Sequence, residues 1–353
     1  MHYYGTYAMA RAAGINRNTA KIIATAAQFV DDNAEKDNIE FRDGARLDSE
    51  ATAHHALNHK NIDPEDQRKI WVPFHFLPGN EGETYTERLV CRKDSEIARE
   101  MVQHMLSLAN RSYAVPLMGI TAHVYADTFA HYGFSGISSR RNKINKIEFD
   151  KIITQKSEKH LKQKEKEFKE NYPGEGGMLT NIKAWFAETL SGALGHGAAV
   201  TFPDRSYLKW SFKYEDPEYD SGLRDNPATF MEGCKALHTL FRDFAKAKPE
   251  CAENSVTKFA DIESELATII NLQGPKAKRI EAWRSAAKNG NIFASGPEVI
   301  PSYNANIWHN ERENFARERD SGKIKDHSIY RFYQAAAVYR TYVLRILLPS
   351  KGL

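Results

Sequence analysis

His123, Asp127 and His131 stand four residues apart in the stretch ITAHVYADTFAHYGFSG, residues 120–136. On a helix, steps of four return to nearly the same face, so the three side chains project within about 80° of one another. Asp127 is the only formal charge between Ser112 and Ser139, so a helix there is apolar nearly all round and has to be buried. A buried carboxylate without a partner costs several kcal/mol, and it needs a hydrogen-bonded cation or a metal ion. No Lys or Arg lies one turn away; the neighbours are imidazoles. The two histidines are about 12 Å apart along the axis, from a rise of about 1.5 Å per residue, too far to share one ion easily. Asp127 lies midway, which suits a carboxylate bridging two metals that each take one histidine. Paired ions of that kind, about 3.5–4 Å apart, activate water and clamp phosphate oxygens. The plain alternative is a helix whose histidines bond backbone carbonyls while one protonates against Asp127.

Other residues of the same types are spread along the chain. His2 opens the first helical segment, and Asp31 and Asp32 close the next in QFVDDN. His54 and His55 stand in ATAHHALNH, His75 in PFHF, and His196 and Asp204 frame GHGAAVTFPD. Imidazole and carboxylate are borderline donors that suit zinc. Each alone also has a structural explanation, and His59, His104, His160, His238, His309 and His327 are read as satisfied structural histidines.

Helix-period patterns dominate and strand-like alternation is scarce, so the expected fold is all-α, with the metal site in a cleft between helices. Residues 1–204 would form the metal-binding core and residues 205–353 a helical continuation packed on it as one large domain. Asn16 is the expected N-cap of RNTAKIIATAAQFVDD, whose Ile22, Ile23, Ala26, Phe29 and Val30 form a core-facing stripe. Further helices are expected at 94–110, 226–247, 254–272, 274–287 and 325–348. Two loops, 71–83 and 195–210, mix Gly and Pro with aromatic residues and carry a histidine each, as ordered loops lining a site do.

The formal charge of +3 over 353 residues is too small to imply a nucleic-acid partner. The lysine-rich run from Arg140 to Lys169 reads as a solvated helix, with a peripheral membrane or phosphate-facing strip as the alternative. Cys91, Cys234 and Cys251 form no C-x-x-C and are odd in number, which fits a reducing compartment. No basic n-region followed by a long apolar run opens the chain, so the expectation is a cytoplasmic protein or one delivered into another cell by a non-Sec route, as a toxin would be. No transmembrane span is expected, because the apolar late segment carries Arg331, Arg340 and Arg345.

HVYADTF resembles the H-x-x-x-D helix of the zinc-dependent phospholipases C and the related single-strand nucleases, and the segment set is also similar to an uncharacterised bacterial family. The phospholipase likeness spans roughly residues 1–204. It implies an all-α enzyme with two or three zinc ions at the base of a cleft. His123 and Asp127 match its core motif; His2, Asp32, His54 or His75, His131 and His196 follow its order along the chain. The chain departs from the pattern in having only three residues between Asp127 and His131. It also has Val200 four residues after His196, leaving Glu188 or Asp204 as the acidic partner. The resemblance implies a zinc phosphodiesterase acting on a phosphoester, with phospholipid headgroups as the leading substrate. Asp127 or Asp32 would orient the nucleophile, and Arg205, Lys209 and Trp71 would contact substrate. Two other readings stay open: an HD-type nucleotide phosphohydrolase, and a non-enzymatic helical interaction module holding a structural ion.

Overall fold

The computed structural model describes residues 1–34, 37–54, 64–150, 153–171, 195, 199, 201–315 and 321–353. The chain is mostly helical with a small sheet. Its principal helices are α1 (Tyr4–Ala12), α2 (Arg17–Asp32), α3 (Glu96–Ser107), α4 (Ala114–Ala130), α5 (Gln155–Asn171), α6 (Asn226–Ala247), α7 (Phe259–Ile270), α8 (Lys276–Lys288), α9 (Asn306–Phe315) and α10 (Ser328–Tyr342).

The helix carrying the His-Asp-His spacing lies at the centre. In α4 every residue except Val115 and Tyr125 is buried, as its nearly charge-free sequence requires. Helices α2, α3, α6 and α10 pack around it. Asn16 caps α2 by accepting the Thr19 N–H at 3.0 Å, and the stripe of Ile23, Ala26, Phe29 and Val30 turns inward. Where α2 crosses α4, Gly119 lets the backbones meet: a Cβ there would collide with the Ile23 carbonyl and the Ala26 methyl. Gly119→Ala should therefore lower unfolding free energy by about 1–3 kcal/mol, the usual cost of overpacking, read from urea denaturation. A wild-type midpoint would show that the crossing has slack.

The all-α expectation needs correction. Strands β1 (Ile39–Glu40) and β2 (Arg46–Leu47) form a small ribbon, and β3 (Ile144–Phe149), β4 (Lys209–Glu215), β5 (Glu218–Asp220) and β6 (Arg224–Asp225) form an antiparallel sheet. In that sheet β4 pairs with β3, β5 and β6. The signal was present in KWSFKYE, where Trp210, Phe212 and Tyr214 are buried and alternate with half-buried Lys209, Ser211 and Lys213. The same correction applies to the lysine-rich run, which opens with a 3-10 turn at Arg140–Asn142 and forms β3 before its helix begins at Gln155. On that helix Lys162 pairs with Glu158 at 2.6 Å, one turn away on the solvated face. Among the described residues no helix is long and apolar enough to cross a membrane.

The sheet holds the end of α4. Gly133 turns the chain away with φ of +90°, and Tyr214 Oη donates to its carbonyl at 3.2 Å. From β6, Arg224 donates to the Ala130 and Tyr132 carbonyls at 2.8 and 2.7 Å, and its guanidinium lies over the Tyr132 ring at 3.7 Å. A cation at a helix C-terminus is favoured by the exposed carbonyl dipoles, and these bonds bracket His131.

Candidate metal centre

Four chain segments deliver donors to one point. His2 precedes α1, and Asp31 lies in the last turn of α2. His75 follows a short helical stretch that widens to π geometry over Gln67–Trp71, a distortion common near functional sites. His123 and Asp127 come from α4, where they are 0% and 2% exposed.

The outer ring nitrogens of two histidines are already committed. His123 Nδ1 donates to the Ala27 carbonyl at 2.7 Å, and His75 Nε2 donates to the Thr52 carbonyl at 2.9 Å. A carbonyl can only accept, so both hydrogens sit on the outer nitrogens of the neutral rings. The inner nitrogens, His123 Nε2 and His75 Nδ1, then turn lone pairs toward each other across 3.3 Å. Asp127 Oδ2 lies 3.2 Å from the first and 3.5 Å from the second, and Asp31 Oδ1 lies 3.9 Å from both. On the other oxygen of Asp127, His2 Nε2 approaches to 3.1 Å, and the His2 and His123 rings stack at 4.0 Å.

Acceptors packed this closely repel unless something positive lies between them. Donors on a tetrahedral ion with bonds of about 2.1 Å are about 3.4 Å apart. The 3.1–3.5 Å separations among His2, His75, His123 and Asp127 match that edge. Two overlapping triads meet the requirement, His2–His123–Asp127 and Asp31–His75–His123, each with donors within 4.8 Å of one another. His123 belongs to both. While the His123 ring is neutral, the buried Asp127 Oδ2 accepts no hydrogen bond, as expected of an oxygen meant for a cation.

Protons answer part of this charge when no ion does. Burial alone would lower the His123 pKa, but Asp127 and Asp31 overcome it and the pKa is raised. Burial likewise opposes ionisation of Asp127, yet His131, His123 and His2 hold its pKa well below the usual carboxylate range. A metal ion would displace the imidazole proton, so binding should release protons.

A family model matches residues 1–347 of the chain. The chain belongs to DUF6765, a family of unknown function. No curated protein and no solved structure matches it.

In this DUF6765 chain the cluster forms part of the wall of a cavity of about 830 Å³. Trp71 lines it and tilts against His75 with ring centroids 4.9 Å apart. His131 caps α4 and donates from Nδ1 to the His75 carbonyl at 2.9 Å, which leaves Nε2 facing Asp204 Oδ1 at 3.1 Å. Burial opposes charge on His131, but Asp127 and Asp204 outweigh it and raise its pKa to about 9. The pair lies beside the cluster, with His131 Nδ1 at 3.6 Å from Asp127 Oδ2.

Other residues singled out in the sequence stand outside the two triads of this DUF6765 member, although Asp32 lines the same cavity. Asp32 accepts a hydrogen bond from Tyr303 Oη at 2.6 Å, and the cluster takes Asp31 in its place. His54 faces Asp66 at 3.4 Å, away from the cavity wall. Arg205 donates to Tyr207 Oη at 3.3 Å and Lys209 pairs with Asp225 at 2.5 Å; neither lines the cavity. His55, Glu188 and His196 fall outside the described residues. The basic residues that do line the cavity are Lys276 and Arg279 of α8, which no motif marks.

Proposed function

We propose that this chain is a divalent-metal-dependent hydrolase of phosphoesters, with zinc as its resident ion. The observation that carries the reading is the pair of inner imidazole nitrogens on His75 and His123, 3.3 Å apart, with two carboxylates beside them. His2, His75, His123, Asp31 and Asp127 would hold the first ions. His131 and Asp204 supply donors for a further one. An imidazole–carboxylate set without thiolate suits zinc, and two or three ions accord with the resemblance to the zinc phospholipases C and single-strand nucleases.

Bound ions of this kind lower the pKa of a coordinated water and stabilise charge on phosphoryl oxygens. The chain's own residues do the rest. The backbone carbonyls of Ala27 and Thr52 fix the tautomers of His123 and His75, so their lone pairs face inward. Asp31 is 38% exposed while Asp127 is 2% exposed. Asp31 is therefore the carboxylate open enough to orient a water in the cavity, and Asp127 anchors the histidines from behind. Trp71 and Phe76 line the cavity and add apolar surface beside the cluster.

Elemental analysis of protein purified without chelator should give two or three zinc equivalents. The same preparation should hydrolyse bis(p-nitrophenyl) phosphate, lose that activity to a chelator and regain it with added zinc. Zero or one equivalent and no hydrolysis would favour a helical binding module with at most a structural ion.

A further inference from the structure

We propose that Arg279 and Lys276 form an anion-binding subsite of the cavity, taking the phosphate group of an ester that also carries an apolar chain. The reaction class rests on the hydrolase reading above; the binding itself does not.

Both residues line the same cavity as the His/Asp cluster. They lie three positions apart in the first turn of α8, which contains no acidic residue. Positive charge is disfavoured at that end of a helix, so helix stability gives no reason for a Lys and an Arg there. Arg279 is half-buried, and its Nε is fully enclosed without a hydrogen-bond partner. Neither side chain has an ion-pair partner among the described residues. Among the described residues Arg279 is compensated only at longer range, by Tyr207, whose ring centroid is 5.9 Å from the guanidinium carbon, and by the Asp204 carboxylate, while Arg205 opposes them. Burial pulls its pKa below the ordinary value. A guanidinium held partly out of water with its donors unused is costly unless a ligand completes it.

The chemistry of that ligand follows from the wall. A guanidinium offers a planar fork that fits two oxygens of a phosphate, and an ammonium three positions earlier on the helix adds a point charge. Asp31, Asp127 and Asp204 line the same cavity with His2, His75 and His131. A phosphate seated between cations on α8 and cations at the cluster would be held from both sides. Phe230, Ile269, Ile280 and Trp283 line the cavity too, and they offer apolar surface for the rest of the molecule. Such a wall favours a net anionic ester over a quaternary ammonium headgroup, which Arg279 and Lys276 would repel.

The test is calorimetric titration of hexyl phosphate and of inorganic phosphate into the full chain purified without chelator. Hexyl phosphate should bind more tightly than inorganic phosphate. Arg279→Met should weaken both by about ten- to a hundredfold, the loss of a charge-assisted pair of hydrogen bonds. Zinc content should stay unchanged and melting temperature should not fall, because among the described residues Arg279 is in no ion pair and its enclosed Nε has no hydrogen bond to lose. Arg279→Lys should recover part of the affinity, and Lys276→Met should add a smaller loss. Vesicles containing phosphatidic acid form the second arm. Arg279-dependent sedimentation with them assigns the subsite to a lipid headgroup, and Arg279-dependent binding of hexyl phosphate alone assigns it to a soluble ester. Undiminished phosphate affinity in the Lys276→Met/Arg279→Met double variant would overturn the subsite, and equal affinity for the two phosphates would overturn its apolar half. Absence of zinc or of hydrolysis is a separate result that bears on the hydrolase reading alone.

Discussion

His123→Ala protein, purified without chelator, should contain no bound zinc and show no phosphodiester hydrolysis. Both donor triads run through His123, so one substitution removes a ligand from each. Losing an outer partner of a metal ligand already costs about ten- to a hundredfold in affinity, and losing the ligand itself should cost more. The side chain is fully buried, so the alanine leaves a cavity and the variant will also be less stable. His123→Asn separates the two effects. Its amide can still donate toward the Ala27 carbonyl and fills much of the space, yet it presents no imidazole lone pair to His75. Asp127→Asn should behave in the same way, because an amide nitrogen would point a donor at histidines that now face a carboxylate. Elemental analysis beside circular dichroism decides the matter: a folded variant of either kind with full metal content and rate would remove these residues from the ligand set.

The largest stability effect is expected away from the cluster, at Glu298. This carboxylate accepts from Tyr7 Oη at 2.5 Å, from Arg11 Nη2 at 2.7 Å and from Arg17 Nε at 2.8 Å. Arg11 is itself 2% exposed and also pairs with Glu253 at 2.6 Å. The network ties α1 and α2 to the loop after α8, and those two helices place His2 and Asp31. Removing one member of a buried pair leaves the other charge uncompensated, so Glu298→Gln should cost about 3 kcal/mol, the lower end of the range because Glu253 still faces Arg11. Burial would raise the Glu298 pKa, but the bonds from Arg11 and Tyr7 outweigh it and hold the pKa below the ordinary glutamate value. A carboxylate depressed on folding contributes stability that is complete above its unfolded pKa, about 4.3, and is lost as pH falls through the folded value. The wild type should therefore lose stability below about pH 4.3 more steeply than Glu298→Gln. Urea denaturation across pH 3–7 with parallel slopes for the two proteins would show that Glu298 is not linked to folding.

Local pattern carried a good part of the helical frame. The cap and apolar stripe of α2 and the extents of α3 and α6 could be read directly, since each depends on residues within a few turns of one another. Strand β4 was missed because it opens inside a loop-like segment, where the turn-rich residues before Lys209 masked the period-two pattern that follows. Helix α9 was missed as well; its sequence NIWHNERENF buries only Trp308 and Phe315, too few positions to define a periodic face.

For the site, the sequence by itself determined that α4 is buried, that Asp127 lies on it, and that imidazoles one turn to either side replace a basic partner. Those facts need only helical geometry and the cost of an isolated charge. The tertiary structure decided which distant residues complete the arrangement. A one-residue difference in position along the sequence cannot tell Asp31 from Asp32 as the inward acid, because neighbouring helical positions differ by about 100° and the turn after α2 sets the final direction. Nor can composition choose His75 over His54, since the choice depends on the Thr52 carbonyl that orients the His75 ring. Lys276 and Arg279 lie about 150 residues from Asp127 in sequence. Only the packing of α8 against the rest of the chain brings them to the same cavity.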